Sequence, residues 1–139
     1  MDNHKVVKVG NTKFWIEDGI LFCQFLSTNN YSKLDLNRVE EYIIAIEKMC
    51  QGNPMPFVVD IRGVKGAFTP EAGNLMANSP ILKSLRISEA FILNSIGAKL
   101  LIASYKRIYD STTPHGIFGD IRLAKQYCIE TKNDFYGRE

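Results

Sequence analysis

Apolar and polar positions alternate with a period of two at the start of the chain and shift to spacings of three and four after residue 35. Lys5 to Val9 alternates briefly and stops at Gly10-Asn11. Thr12 to Glu17 resumes the pattern, and after Asp18-Gly19 the run Ile20 to Leu26 sets Leu21, Cys23 and Phe25 on one face and Phe22 on the other. Gly-Asn and Asp-Gly accept the positive φ of tight hairpins, so the pattern predicts three strands in two antiparallel hairpins. Ser27 to Lys33 is a polar loop leading to Asp35, a candidate N-cap. From Leu36 to Gln51, the residues Val39, Tyr42, Ile43, Ile46, Met49 and Cys50 form one helical stripe, and Gly52 and Pro54 end it.

Phe57 to Ile61 has almost no polar relief, which predicts a strand from Pro56 covered on both faces, the axis of the core. Gly63 and Gly66 mark a tight loop. Thr69-Pro70-Glu71 then reads as an N-cap, a proline at the first helical position and an acid in the first turn. The helix that follows turns Ala72, Leu75 and Met76 inward, breaks at Asn78-Ser79-Pro80 and resumes through Leu82 and Leu85, so it is read as short and mobile. Ser88 to Leu93 predicts another strand, and Asn94-Ser95 caps a helix to about Tyr109. Two neighbouring faces of that helix, one through Ile96 and Leu100 and one through Leu101, Ile102, Tyr105 and Ile108, make its apolar surface wider than a sheet contact needs. A neighbour or a dimer mate is the expected cover. Ser111 to Pro114 is a connector with His115 in the turn, Ile117-Phe118 is an edge strand, and Asp120 caps a last helix with Leu123, Ala124, Tyr127 and Cys128 inward.

Three strands followed by alternating helices and strands imply an α/β fold. Its sheet is mixed, with N-terminal antiparallel hairpins and then parallel βαβ strands, and about four helices pack mainly on one face. The 139 residues, 45% of them hydrophobic, suffice for one domain, read as 5–132 with a flexible tail at 133–139. A net charge of +2 without a like-charge block gives no footprint for nucleic acid. The start of the chain lacks a secretory signal, and Ile96 to Ala103 is far shorter than the roughly 20 apolar residues of a membrane helix. A cytoplasmic protein without membrane insertion is expected. Cys23, Cys50 and Cys128 fall in apolar contexts outside any CxxC pair and read as buried thiols in a reducing compartment.

The segment VVDIRGVKGAFTPEAG resembles the strand, loop and helix of STAS domains, the bacterial anti-sigma-factor-antagonist family. SEAFILNSIGAKLLIASYKRI and PHGIFGDIRLAKQYC are similar to its SpoIIAA-like branch, which borders on the lipid-binding SEC14-type domains. The likeness spans roughly residues 12 to 130 and implies a SpoIIAA-like fold. It also implies a non-catalytic regulatory module with a protein partner or a second copy of itself, or else a SEC14-like carrier or sensor of a small apolar ligand. Kinase-switched members carry an Asp-Ser-Ser type motif where this chain has Phe68-Thr69-Pro70, so Thr69 is the one candidate phosphoacceptor there, set against its role as a helix cap.

The remaining chemistry is sparse. Asp60 and Arg62 fall on one side of the strand end, where they either pair or hold an anion; alternatively Asp60 bonds loop N–H groups and Arg62 lies in water. Gly63-Val64-Lys65-Gly66 fits neither a Walker loop nor a dinucleotide fingerprint. Ser95 to Lys99 opens a helix with small residues and a cation, which suits either an anionic head group or close packing. The candidate partner- or ligand-binding residues are therefore Asp60, Arg62, Lys65, Thr69, Ser95 and Lys99. His4 and His115 have no companion at metal-ligand spacing. No catalytic residue, metal or cofactor is assigned.

Overall fold

The computed structural model describes residues 5–26, 32–64 and 66–137. Three strands open the chain, β1 (Val7–Val9), β2 (Thr12–Glu17) and β3 (Ile20–Phe25), joined as antiparallel hairpins. Asp18 and Gly19 carry φ of 57° and 71°, the paired left-handed conformation that lets a two-residue turn follow the twist of its strands. Next come β4 (Ser32–Leu34), α1 (Leu36–Cys50), β5 (Met55–Asp60), β6 (Gly66–Phe68), α2 (Pro70–Asn78) and α3 (Pro80–Leu85). The chain ends with β7 (Arg86–Ile92), α4 (Ile96–Ile108), β8 (His115–Phe118) and α5 (Ile121–Tyr136). The main sheet has the order β1-β2-β3-β5-β7-β8 and is parallel from β3 onward. This is the expected mixed sheet, with β5 at its centre.

The caps fall where the polar residues placed them. Asp35 accepts from the Arg38 N–H at 3.0 Å, and α1 closes through Gln51 in the left-handed region, one residue before Gly52. Thr69 and Pro70 start α2; Ser79 both receives its end and caps α3, accepting from the Leu82 N–H at 3.3 Å.

Three local readings change. β4 and β6, both read as loop, pair in parallel as a separate two-stranded sheet, with Leu34 opposite Phe68. Segments of three residues are too short to show a period, so pattern alone does not reveal them. His115 opens β8 instead of sitting in a turn. Finally, α5 continues to Tyr136 through residues read as a flexible tail, and the Tyr136 hydroxyl donates to the Pro54 carbonyl at 2.5 Å, tying the helix end to the loop before β5. The readings placed on His4, on Ser27 to Tyr31 and on Lys65 lie outside the described residues.

The two faces of the sheet are packed differently. On one, α5 sets Ala124 and Cys128, both fully buried, against Phe22, Val58, Ala90 and Ile92. Small residues on both sides bring helix and sheet close. A Cβ added to Gly116 of β8 would stand 2.7 Å from the Phe118 ring, so the edge strand has no spare room either. On the other face α1, α2 and α3 close over Phe14, Leu21 and Phe57 through Val39, Ile46, Leu82 and Leu85, each such side chain contributing about 1.5–3 kcal/mol when fully buried. Helix α4 lies on this same face through Ile102, against Phe91 and Leu93, but its backbone makes no approach to the sheet comparable to that of α5.

Candidate functional site

The gap left by α4 is the candidate site. A cavity of about 970 Å³ runs between α1, α4 and the sheet. Its walls are mainly apolar, including Phe57, Val59, Phe91, Ile102 and Tyr105. The strand expected to be covered on both faces is therefore covered only in part: Phe57 and Val58 are buried, whereas Val59 and Ile61, toward its carboxyl end, are half-buried and line the opening. Phe68 of β6 and Tyr105 meet edge to face at 5.6 Å, and Phe68 also meets Tyr109 at 6.1 Å, so α4 rests through aromatic rings on the small β4-β6 sheet, whereas Ala124 seats α5 directly on the main sheet. Burial, with the nearby Glu89 carboxylate second, pushes the Tyr105 hydroxyl up from its ordinary value, so the wall it supplies is a neutral phenol.

Four charged side chains are buried beside this space. Lys106 Nζ lies 2.5 Å from Glu89 Oε1 and 3.1 Å from Asp110 Oδ2; Arg86 lies 3.7 Å from Glu89 and 3.9 Å from Asp110. All four residues are less than 9% exposed, and Arg86 and Glu89 also form part of the cavity wall. Their convergence comes from the backbone. Between the pairs Met55–Arg86 and Phe57–Glu89 the register slips, three steps along β7 facing two along β5. One extra residue reverses the alternation, so Arg86 and Glu89 reach the same side. Lys106 and Asp110 stand one helical turn apart at the end of α4 and complete the set. Desolvation works to raise the Asp110 carboxyl, but N–H bonds from the Thr113 backbone and the Lys106 ammonium outweigh it, and its pKa falls below the ordinary value. His115 is pushed down, chiefly by burial and then by Lys106, with Glu89 and Asp110 opposing.

Nothing in the sequence reading picked out this quartet. Its signal is faint: a glutamate inside the otherwise apolar SEAFIL, and a lysine four residues after Ile102 on the inward stripe of α4.

The residues singled out from sequence are placed elsewhere. Asp60 receives Arg62 through a two-pronged pair, Nε to Oδ1 at 3.0 Å and Nη2 to Oδ2 at 2.8 Å, and also accepts the Arg62 backbone N–H at 3.1 Å. Of the alternatives for this pair, the loop N–H bond is present together with the ion pair, and the guanidinium is held rather than free in water. That contact keeps Arg62 charged, its pKa raised by the bond to Asp60. Ser95 caps α4, accepting from the Ala98 N–H at 3.1 Å, and forms part of the cavity rim. Asp60 pairs with Ile92 across β5 and β7, so Asp60, Arg62 and Ser95 share the carboxyl edge of the parallel strands. Thr69 follows β6 and caps α2, accepting from the Ala72 N–H at 3.1 Å. Lys99 is exposed on α4, and neither it nor Thr69 lines the cavity.

Cys23, Cys50 and Cys128 are free and buried; burial raises all three thiols, Cys50 to about 11 and Cys128 to about 12, which leaves them protonated. Among the described residues no group of three or more His, Cys, Asp or Glu is placed to hold a metal ion, and no helix is long and apolar enough to cross a membrane.

Among solved structures the fold recurs in an uncharacterized protein of the DUF3478 family with a SpoIIAA-like fold from Shewanella loihica PV-4. The TM-score is 0.58 at 14% identity, over 92% of this chain and 97% of that one. At that identity the likeness shows the fold alone, and it agrees with the SpoIIAA-like architecture expected from the order of elements. No curated protein matches the sequence. The model of one family matches residues 14–132, from β2 to the middle of α5, and the chain belongs to that family, a domain of unknown function, DUF7793.

Proposed function

We propose that the protein is a non-catalytic carrier or sensor that takes a small apolar or amphipathic molecule into the cleft beneath α4. The observation that carries this reading is the cavity of about 970 Å³ with mainly apolar walls and four charged residues, Asp35, Arg38, Arg86 and Glu89, among them. Its volume and lining match those of small-molecule sites, which are mostly apolar with few polar groups to orient the guest. Native mass spectrometry on protein purified from its own cells should find a co-purifying apolar molecule, and stripped protein should take up a solvatochromic dye saturably. Folded protein that carries nothing and takes up no dye would remove the reading.

A second reading, a regulatory module of STAS-like type that binds a protein partner or a second copy of itself, is favoured by the outer face of α4. Ile96, Leu100 and Ile108 are 78%, 64% and 61% exposed. A stripe of that kind suits a protein contact. In this reading Asp60, Arg62 and Ser95 at the carboxyl edge of the parallel strands, with Lys99 exposed on α4, flank the contact and select the partner. Sedimentation velocity of the native protein and of Leu100→Glu tests self-association: a concentration-dependent dimer lost in the variant supports it, and a monomer in both counts against it.

A further inference from the structure

We propose, resting on the carrier reading above, that the Tyr105 hydroxyl is the polar contact of the cleft and donates a hydrogen bond to a neutral oxygen of the guest. Tyr105 is 4% exposed and lines the cavity. Its ring is committed, meeting Phe68 edge to face at 5.6 Å and Tyr109 at 6.0 Å. Its hydroxyl is not. Among the described residues none hydrogen-bonds to it, and what acts on it is burial, then the charges of Glu89, Arg86 and Asp110. The unpartnered side-chain atom that is sealed away among those residues is Arg86 Nε, so the Tyr105 hydroxyl, unpartnered as well, keeps accessible surface. A buried tyrosine hydroxyl ordinarily finds a partner, and one left open on a cavity wall marks where a guest's polar atom sits.

The charges of the wall decide what kind of atom that is. Among the described residues the wall holds two cations, Arg38 and Arg86, and two carboxylates, Asp35 and Glu89. Each already has a bond or an opposite charge of its own. Arg38 lies 3.5 Å from Glu41, and Asp35 accepts the Arg38 N–H at 3.0 Å. Arg86 and Glu89 belong to the buried quartet, which Lys106 and Asp110 bring to no net formal charge. An anionic head group would give up its hydration without meeting an uncommitted cation, whereas a neutral oxygen loses less and gains the phenol's hydrogen bond. Phe57, Val59 and Phe91 take the apolar body. The ligand class is an apolar molecule with a neutral acceptor oxygen, such as a ketone or ester, in preference to a free acid.

The test is displacement of a bound solvatochromic dye from the stripped protein at pH 8 by benzophenone, diphenylmethane and diphenylacetate. These guests share a shape and carry a neutral oxygen, none, or a carboxylate. Tyr105→Phe removes the hydroxyl and keeps the ring, so it should weaken benzophenone about fivefold and leave diphenylmethane within about twofold. In the unmodified protein diphenylacetate should compete less well than benzophenone. The infrared carbonyl stretch of bound benzophenone supplies a readout that needs no variant: it should lie below its position in hexane. Equal weakening of both neutral guests in the folded variant, or no weakening because water alone occupies the hydroxyl, overturns the proposal. So does an unshifted carbonyl stretch, stronger competition by diphenylacetate, or bound dye that benzophenone fails to displace. Each of these leaves the carrier reading standing, whereas absence of any dye binding removes that reading and the proposal with it.

Discussion

Replacing Lys106 by Met isolates the charge at the centre of the buried quartet while nearly preserving side-chain volume. Lys106 is 6% exposed, and its ammonium touches Glu89 at 2.5 Å, Asp110 at 3.1 Å and the Thr113 carbonyl at 3.4 Å. Methionine fills the same space, so the cavity cost is small. The charge cost is not, because breaking a buried pair by removing one partner is worth about 3–5 kcal/mol. Arg86 remains within 4 Å of both carboxylates and offsets part of it, which places the expected loss near the lower end, about 3 kcal/mol. For a chain of this size that corresponds to a fall in Tm of about 10 °C. Urea unfolding at pH 7 with linear extrapolation is the assay. Lys106→Met/Glu89→Gln, which removes one charge of each sign, should recover most of the loss. The pH dependence supplies a second check. The Asp110 pKa is lowered in the folded state, so its contribution is present above the unfolded value of about 3.9 and lost as pH falls through the folded one. The Lys106→Met penalty should therefore be full at neutral pH and shrink in acid as the stranded carboxylates take up protons. A loss below about 1 kcal/mol at pH 7 would show a solvated cluster and refute the reasoning, since only exposed pairs contribute so little.

Two further outcomes follow from single contacts. Thr69→Ala should lower stability by about 1 kcal/mol through loss of the cap on the Ala72 N–H, whereas Thr69→Asp, itself a good cap, should leave urea unfolding nearly unchanged; a large loss in the Asp variant would show that the hydroxyl serves some other purpose. His115, whose pKa is lowered in the folded state, binds fewer protons there than when unfolded, so stability should rise with pH from the folded value up to about 6.5 and then level off. His115→Gln should flatten that slope in thermal melts between pH 5 and 7, and an unchanged slope would assign it to another group.

The architecture was legible because its signals are local. Asp18-Gly19, the caps at Asp35, Thr69, Ser95 and Asp120, and the stripe from Val39 to Cys50 each specify a turn or a helix without reference to anything distant. β4 and β6 escaped because three residues show no period and their pairing joins segments some thirty residues apart. The candidate site was legible only at its rim. Sequence shows Ser95 as the start of a helix with small residues and α4 as a helix with a wide apolar surface, yet the cavity depends on how far that helix stands from the sheet. Distance of that kind follows from the sizes of side chains on two elements at once. The quartet was hidden for a related reason. Glu89 and Lys106 lie 17 positions apart, and a slip in register brings Arg86 to their side.

These two features, the stand-off and the buried charges, belong together. An apolar gap between a helix and a sheet tends to close, since dispersion contacts and the exclusion of water both favour collapse to native packing density. The α5 face shows the collapsed outcome, with Ala124 and Cys128 fully buried against Ala90. On the opposite face α4 is tied at its carboxyl end to β7 by the bond from Lys106 to Glu89 and by the ion pair of Asp110 with Arg86. Such bonds are directional and hold only within a narrow range of distance. Sliding α4 inward would strip them and leave charges buried without partners, a larger cost than the packing would return. At its amino end the helix has no such tie among the described contacts: Ile96 and Leu100 touch solvent and Ser95 edges the cavity. In the carrier reading, a guest would enter at the rim between Ser95 and the carboxyl ends of β5 and β7, the edge that also holds Asp60 and Arg62.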